Sequence, residues 1–459
     1  MATTNGRGET SSDLQDRIHT PLNACSLEVL HEQCRRYPES DADGGAEGGA
    51  WPLVVGCYQL NEARGVVDND KPDDDDATSI DTGANTDLTS PQADVTPTRS
   101  GELRLYSVPL QCNGAPPALG DPSQVVHMDS GVLDAKWHWV QASASSGESE
   151  ENCLPYLASA CASGRIHVHK LVNDDSEPGP GASHRKLIHA GASDSDESGA
   201  TRLCLSLDWD RRSGNDAVPL SQRIVSSYSD GSLSVHTFQS IPANGQESTS
   251  FVQPLLETER WEAHKLFGCP SEVWTCCFAS SYAAGTLCSG EETKAILSGG
   301  DDCVLKLWDC RILSVPMEKV GNREFDAGVT ALSYHPSLEH AFAVGSYDEV
   351  VRLYDVRKLG EPMCRVQVGG GVWRLRWHPQ KVGRILVAAM HGGCRIVNFG
   401  GLGSGEEEGP ATAGIEAEFT EHESMAYGAD WLVSGPTEHA ASCSFYDRQV
   451  CLWKSVAAV

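Results

Sequence analysis

The sequence predicts an all-β fold, a ring of seven four-stranded units, on three observations. Strand-like segments closing in an aromatic, His or apolar residue recur along the chain. A tight turn built on Gly, Ser or Asp precedes most of them, and 45 Gly and 23 Pro in 459 residues supply the reversals such a chain needs. The two best-defined intervals, Trp308 to Tyr354 and Tyr354 to Val397, are 46 and 43 residues long, the length of one propeller blade.

The closing strands end at Tyr106, His169, His236, Trp308, Tyr354, Val397 and Trp453. Their turns lie at Ser163-Gly164, Asp230-Gly231, Asp302, Asp348, His391 and Asp447. Each unit also carries an alternating inner strand: Leu133–Trp139, Leu203–Trp209, Val273–Phe278, Val329–His335, Val372–His378 and Tyr427–Leu432. The chain ends on the third strand of its last unit. The missing strand is expected from the N-terminus, around Arg17–Ala24, before the first unit starts at Cys25. Such closure removes two open sheet edges. The expected organisation is a disordered segment over 1–16 and a seven-bladed β-propeller over 17–459. Disordered acidic insertions interrupt it at about 66–100, 173–200 and 402–412.

Composition narrows the function. A hydrophobic content of 40% with 11 Trp supports a true core. No apolar run approaches the length of a membrane span, and the polar N-terminus lacks the apolar centre of a signal peptide. A cytoplasmic protein is expected, with no membrane partner. The 17 Cys form no C-x-x-C pair and sit mostly in apolar strands (Cys204, Cys276, Cys277, Cys443, Cys451), so they read as small buried hydrophobes and no metal is expected. The net charge of −29 gathers in Asp73–Asp76, in Asp194, Asp196 and Glu197, and in Glu406–Glu408. No basic stripe is present to neutralise phosphates, which argues against nucleic acid. No cofactor motif appears.

Most repeated residues read as scaffold. A turn Asp binds nearby amides and a closing Trp fills the space between blades, which accounts for Asp302, Asp447, Trp308 and Trp453. His335-Pro336 and His378-Pro379 recur at matching places and read as turns, and His264 as a partner of the turn Asp. One turn breaks the rule. In Met390-His391-Gly392-Gly393-Cys394 the frame of Asp302, Asp348 and Asp447 is kept, but His391 stands where the Asp belongs. A titratable residue replacing a structural one invites a functional reading.

The segments Gly345–Glu349 (GSYDE), Gly370–Pro379 (GGVWRLRWHP), Ala389–Asn398 (AMHGGCRIVN), Tyr427–Trp431 (YGADW) and Ser442–Trp453 (SCSFYDRQVCLW) resemble the WD-repeat diphthine methyl ester hydrolases. The resemblance is dense from about Ile296 to the end. It implies an enzyme of diphthamide synthesis that removes a methyl ester from an over-methylated histidine of translation elongation factor 2, its protein substrate. The carboxylate so freed is later amidated.

Ester hydrolysis needs a nucleophile, a proton acceptor and a holder for the oxyanion. No G-x-S-x-G elbow is present. His391 is therefore expected as general base, acting on water or on a serine hydroxyl. Asp348 or Glu349 would orient it, and Ser346 or Ser444 is a possible nucleophile. The substrate carries a quaternary trimethylammonium, which suits aromatic faces. Trp373, Tyr427 and Trp274 start inner strands, and Tyr347, Ser444 and Tyr446 lie in turns beside them, so these six are expected to bind substrate. The alternative is a non-catalytic WD-repeat scaffold, since fold alone does not settle function. A monomer is expected in either case.

Overall fold

The structure is a computed structural model. It describes residues 13–31, 50–61, 98–109, 117–141, 153–174, 185–194, 202–210, 221–239, 253–279, 295–321, 323–338, 340–403, 412–434 and 437–454. Among them every regular element is a β-strand, and no helix is long and apolar enough to cross a membrane.

The strands follow one another as meanders. After β1 (Asp13–His19), the first is β2 (Asn23–Val29), β3 (Ala50–Asn61), β4 (Thr98–Pro109) and β5 (Gln124–Met128). The second is β6 (Val132–Gln141), β7 (Cys153–Cys161), β8 (Ile166–Asn173) and β9 (Arg185–Ser193). The third is β10 (Cys204–Trp209), β11 (Ser221–Tyr228), β12 (Ser232–Gln239) and β13 (Gln253–Glu262). It joins the second edge to edge through a short parallel pairing of β13 with β9. A two-stranded ribbon, β14 (Lys265–Leu266) and β15 (Cys269–Pro270), precedes the fourth meander of β16 (Thr275–Ala279), β17 (Ala295–Gly299), β18 (Leu305–Asp309) and β19 (Glu318–Val320).

The fifth is β20 (Val329–Tyr334), β21 (Ala341–Ser346), β22 (Val350–Asp355) and β23 (Cys364–Gln367). The sixth is β24 (Arg374–Trp377), β25 (Arg384–Ala388), β26 (Cys394–Gly400) and β27 (Thr412–Phe419). The last is β28 (Ala426–Ser434), β29 (Thr437–Ser444) and β30 (Gln449–Lys454), whose edge pairs antiparallel with β1 from Asp13↔Lys454 to His19↔Gln449. The first strands of the meanders touch in succession, β2 to β6, β10, β16, β20, β24 and β28, and β28 touches β2 again.

Two boundaries differ from the sequence reading. The N-terminal strand is Asp13–His19, so it begins inside the segment expected to be disordered. Leu14 and Ile18 give it apolar residues, and Ile18 packs on the core formed by Leu27, Leu452 and their neighbours. Arg185–Ser193 is a strand within the expected insertion at 173–200, because Leu187 is buried against Leu103 and Leu171. Residues 1–12, 62–97, 175–184, 195–200 and 404–411 lie outside the described residues.

Between the sheets, large rings are fully buried: Trp209, Trp308, Trp431, Trp453, Tyr106 and Tyr354. The scaffold histidines behave as the sequence suggests. His264 Nδ1 lies 2.8 Å from Asp302, its Nε2 lies 2.8 Å from Ser298 Oγ, and Trp308 Nε1 donates to that same hydroxyl at 2.8 Å. His422, Ser442 and Trp453 repeat the relay in the last sheet. His335 and His378 accept backbone amides through Nδ1 and so close their turns.

These buried imidazoles carry a pH consequence. Burial pulls His169 down to about 3 and His236 and His422 to about 4, from an ordinary 6.5. Each stays neutral in the folded chain while the unfolded chain takes up a proton. Stability is therefore complete above about pH 6.5 and falls as the pH drops toward 4. Urea midpoints measured between pH 7.5 and 5 should decline steadily; a flat series would contradict this.

Candidate functional site

One end of the sheets gathers the rings that the sequence singled out. At or just before β16, β24 and β28 a residue is locked to the turn of the preceding sheet. Val273 N donates to Tyr228 O, Val372 N to Ser346 O, and Ala426 N to Met390 O. The next residues, Trp274, Trp373 and Tyr427, are thereby held at the same level. A second set of bonds ties turns to the start of their own sheet's inner strand: Asp301 N donates to Glu272 O, Tyr347 N to Gly328 O and Phe445 N to Met425 O. Aromatic strand starts and turn residues thus interleave along one rim.

The rings form a continuous basin. Trp274 lies 5.6 Å from Trp373 and 6.2 Å from Tyr347, and Tyr347 lies 6.1 Å from Trp373. Trp373 lies 4.9 Å from Tyr427, and Tyr427 lies 5.4 Å from Phe445, which touches Tyr446 and reaches Tyr58 at 6.0 Å. All of these are partly exposed except Tyr446, which is open to solvent. Gly328 and Gly371 keep the rim tight. A Cβ on Gly371 would come within 3.0 Å of Met390 Sδ and 3.3 Å of Tyr347, and one on Gly328 within 2.8 Å of the Asp301 carboxylate.

Asp301 is the charged member of the basin. It accepts Trp274 Nε1 at 3.3 Å, is exposed, and has no cationic partner among the described residues. Burial first and Asp301 second push the Tyr347 phenol up to about 12, so that ring stays neutral at any physiological pH. Beneath the basin, Trp274 and Trp373 line a cavity together with Lys136, Ser206, Arg374 and Arg376. Its charges are internally matched: Arg374 with Asp134 at 2.9 Å, Lys136 with Asp208 at 3.6 Å, and Arg376 with Glu28.

His391 sits on this rim in a turn unlike its neighbours. Within its own hairpin it holds the central place, since Ala388↔Cys394 matches Gly299↔Leu305 and Gly345↔Val351. Against the next sheet, however, it follows Met390 as Asp301 follows Gly300 and Tyr347 follows Ser346, each preceding carbonyl accepting from the adjacent inner strand. The turn has slid by one residue. Positive φ falls on Met390 (41°) and Gly393 (78°), where the Asp turns place it on Cys303 (58°) and Glu349 (68°). Gly393 supplies that conformation without strain, and no carboxylate is present to pin the usual form. The imidazole is exposed, and it has no hydrogen-bond partner among the described residues.

The remaining expected residues are employed elsewhere. Asp348 caps Val350 N at 3.2 Å and forms a buried ion pair with Arg352 at 2.7 Å. Glu349 points outward and accepts from Gln367 at 3.1 Å. Neither has a hydrogen bond or ion pair with His391. Ser346 is fully buried; its hydroxyl donates to Ala327 O at 3.0 Å and accepts Asp348 N at 3.2 Å. Ser444 is equally buried and donates to Asp447. Both hydroxyls serve turns. Sequence reasoning missed Asp301, Phe445 and Tyr58; Asp301 was visible only as the residue before a turn Asp.

Fold and site together define an all-β protein carrying a WD40 repeat: the WD domain, G-beta repeat family matches residues 320–355. Over most of its length the chain is similar to proteins named for diphthine. A diphthine methyltransferase homolog of Dictyostelium discoideum is 27% identical over 343 residues, covering 72% of this chain and 78% of that one. The Homo sapiens diphthine methyltransferase is 29% identical over 415 residues, covering 90% and 78%. That of Mus musculus is 32% identical over 337 residues, covering 72% of this chain and 59% of the mouse protein.

Proposed function

We propose that the chain is a seven-bladed β-propeller, closed by β1, that hydrolyses the methyl ester of methylated diphthine on translation elongation factor 2. The seven successive meanders, the return contact of β28 with β2 and the pairing of β1 with β30 support the ring. The similarity to proteins named for diphthine supports the pathway. The observation that carries the chemistry is a basin of contiguous aromatic rings, holding one unpaired carboxylate, on the same rim as an exposed imidazole.

Each part has a task. A trimethylammonium cannot hydrogen-bond, so ring faces and a nearby negative charge are what can hold it. Trp274, Tyr347, Trp373 and Tyr427 supply the faces, and Asp301 supplies the charge. His391 then takes a proton from water as the water oxygen bonds to the ester carbonyl carbon. The carbon–methoxy bond breaks, the imidazolium returns its proton to the leaving oxygen, and methanol departs from a free carboxylate. Water is the nucleophile, because Ser346 and Ser444 are committed to their turns.

The reading is tested by incubating purified protein with elongation factor 2 bearing the methylated intermediate and measuring methanol. One methanol per modified site is expected, with no added methyl donor. No methanol at any protein concentration would favour the non-catalytic scaffold. Asp301→Asn should raise KM about threefold to tenfold at low ionic strength, an effect that shrinks as salt is added. A salt-independent change would place Asp301 outside the site.

A further inference from the structure

A second departure from the repeat lies in the hairpin of β7 and β8. In the fourth and fifth meanders the turn Asp pairs with a cation four residues on: Asp302 with Lys306 at 3.2 Å and Asp348 with Arg352 at 2.7 Å. In the second meander Ser163 holds the Asp place and His167 the cation place. Cys161 takes the position of Gly300 and Ser346, its carbonyl accepting Gly164 N as theirs accept Cys303 and Glu349. The carboxylate arrives from another strand, in Asp129 just beyond β5.

The replacement is a set of metal donors. Asp129 oxygen, Cys161 sulfur and His167 nitrogen all lie within 4.8 Å of one another. His167 is 8% exposed, and its Nε2, 3.2 Å from Asp129, lacks the geometry of a hydrogen bond. A second observation points the same way. Two more imidazoles crowd the spot: His189 lies 5.7 Å from His167 and 5.3 Å from His169, and the buried Nδ1 of His169 has no partner. Arg165 and Ser163 hold the Asp129 carboxylate from outside at 3.1 and 3.4 Å, the kind of support that orients a ligating group.

We propose that Asp129, Cys161 and His167 bind one Zn²⁺, leaving a fourth position to water on the solvent side of Asp129. Thiolate, imidazole and carboxylate together match the ligand preference of zinc. Binding requires Cys161 to lose its proton, which the dication drives. The neighbouring Arg165 opposes the metal, and the two negative ligands offset it. This site shares no residue with the aromatic basin and does not depend on the proposed reaction.

The test uses tag-free full-length protein, stripped of metal and titrated with Zn²⁺ and separately with Co²⁺. One zinc equivalent is expected, and cobalt should show a thiolate charge-transfer band. Cys161→Ser should abolish that band and His167→Ala should lower zinc uptake below one equivalent, while Cys303→Ser leaves both intact. The metal-free thermal midpoint of each variant reports whether it still folds. No zinc uptake by the wild-type chain, or a band that survives in Cys161→Ser, would overturn the assignment.

Discussion

Replacing His391 with alanine should lower kcat for methyl-ester cleavage by about 10²–10⁴-fold, the usual contribution of a positioned general base. The variant should fold normally, because the ring is exposed and the turn is held by backbone bonds, Gly392 N to Ala389 O and Gly393 N to Met390 O. A sharper variant is His391→Asp. It restores the residue that the repeat uses at this place, four residues before Arg395, as Asp348 stands before Arg352. That change should preserve or raise the thermal midpoint while activity is lost. Full activity in either variant would remove His391 from the mechanism. Inactivity combined with unfolding in both would assign it to the scaffold.

Trp373→Leu should weaken binding of the methylated substrate about fivefold to thirtyfold, because one cation–π partner is worth about 1–2 kcal/mol when partly desolvated. Trp373 touches Trp274, Tyr347 and Tyr427, so its loss opens the middle of the basin. The discriminating readout is a ratio. Affinity for a peptide carrying the trimethylammonium should fall far more than affinity for the same peptide carrying a neutral isostere. Equal losses would mean that Trp373 supplies only contact area. Tyr427→Leu should follow the same pattern less strongly, since Tyr427 meets Trp373 and Phe445 rather than the Asp301 end.

The repeat was legible because its determinants are local. Period-two patterning, turn residues and closing rings lie within a few positions of one another, and each expected inner strand has a counterpart, from Val132–Gln141 to Ala426–Ser434. The rings of the basin were legible for the same reason, since matching places in a repeat lie at matching heights. What sequence could not supply is register between sheets. The one-residue slide of the His391 turn is set by the bond from Ala426 N to Met390 O, and that bond joins different repeats. The engagement of Ser346 depends on Ala327, in the loop before β20. Cys161 and His167 share the β7–β8 hairpin, but Asp129 reaches them from the end of β5, so no spacing rule could bring all three together.

Strand β9 was hidden by charge. The stretch around 173–200 is dominated by Asp, Glu, Ser and Gly, and the apolar side chain of Leu187 is flanked by Lys186 and a partly exposed surface. The edge offered by β8 holds Arg185–Ser193 extended, through pairs running from His167↔Ala192 to Asn173↔Arg185, and β13 adds a short parallel pairing at its far end. A strand created by its neighbour leaves a weak trace in its own composition.

Ester hydrolysis by water is tested most directly by cleavage in oxygen-18 water, with the modified elongation factor peptide weighed by mass spectrometry. Attack of water on the ester carbonyl predicts a product in which the methoxy group has been exchanged for one heavy oxygen of the new carboxylate, with unlabelled methanol. A carboxylate without the label, or a substrate that keeps its ester throughout, would contradict the account.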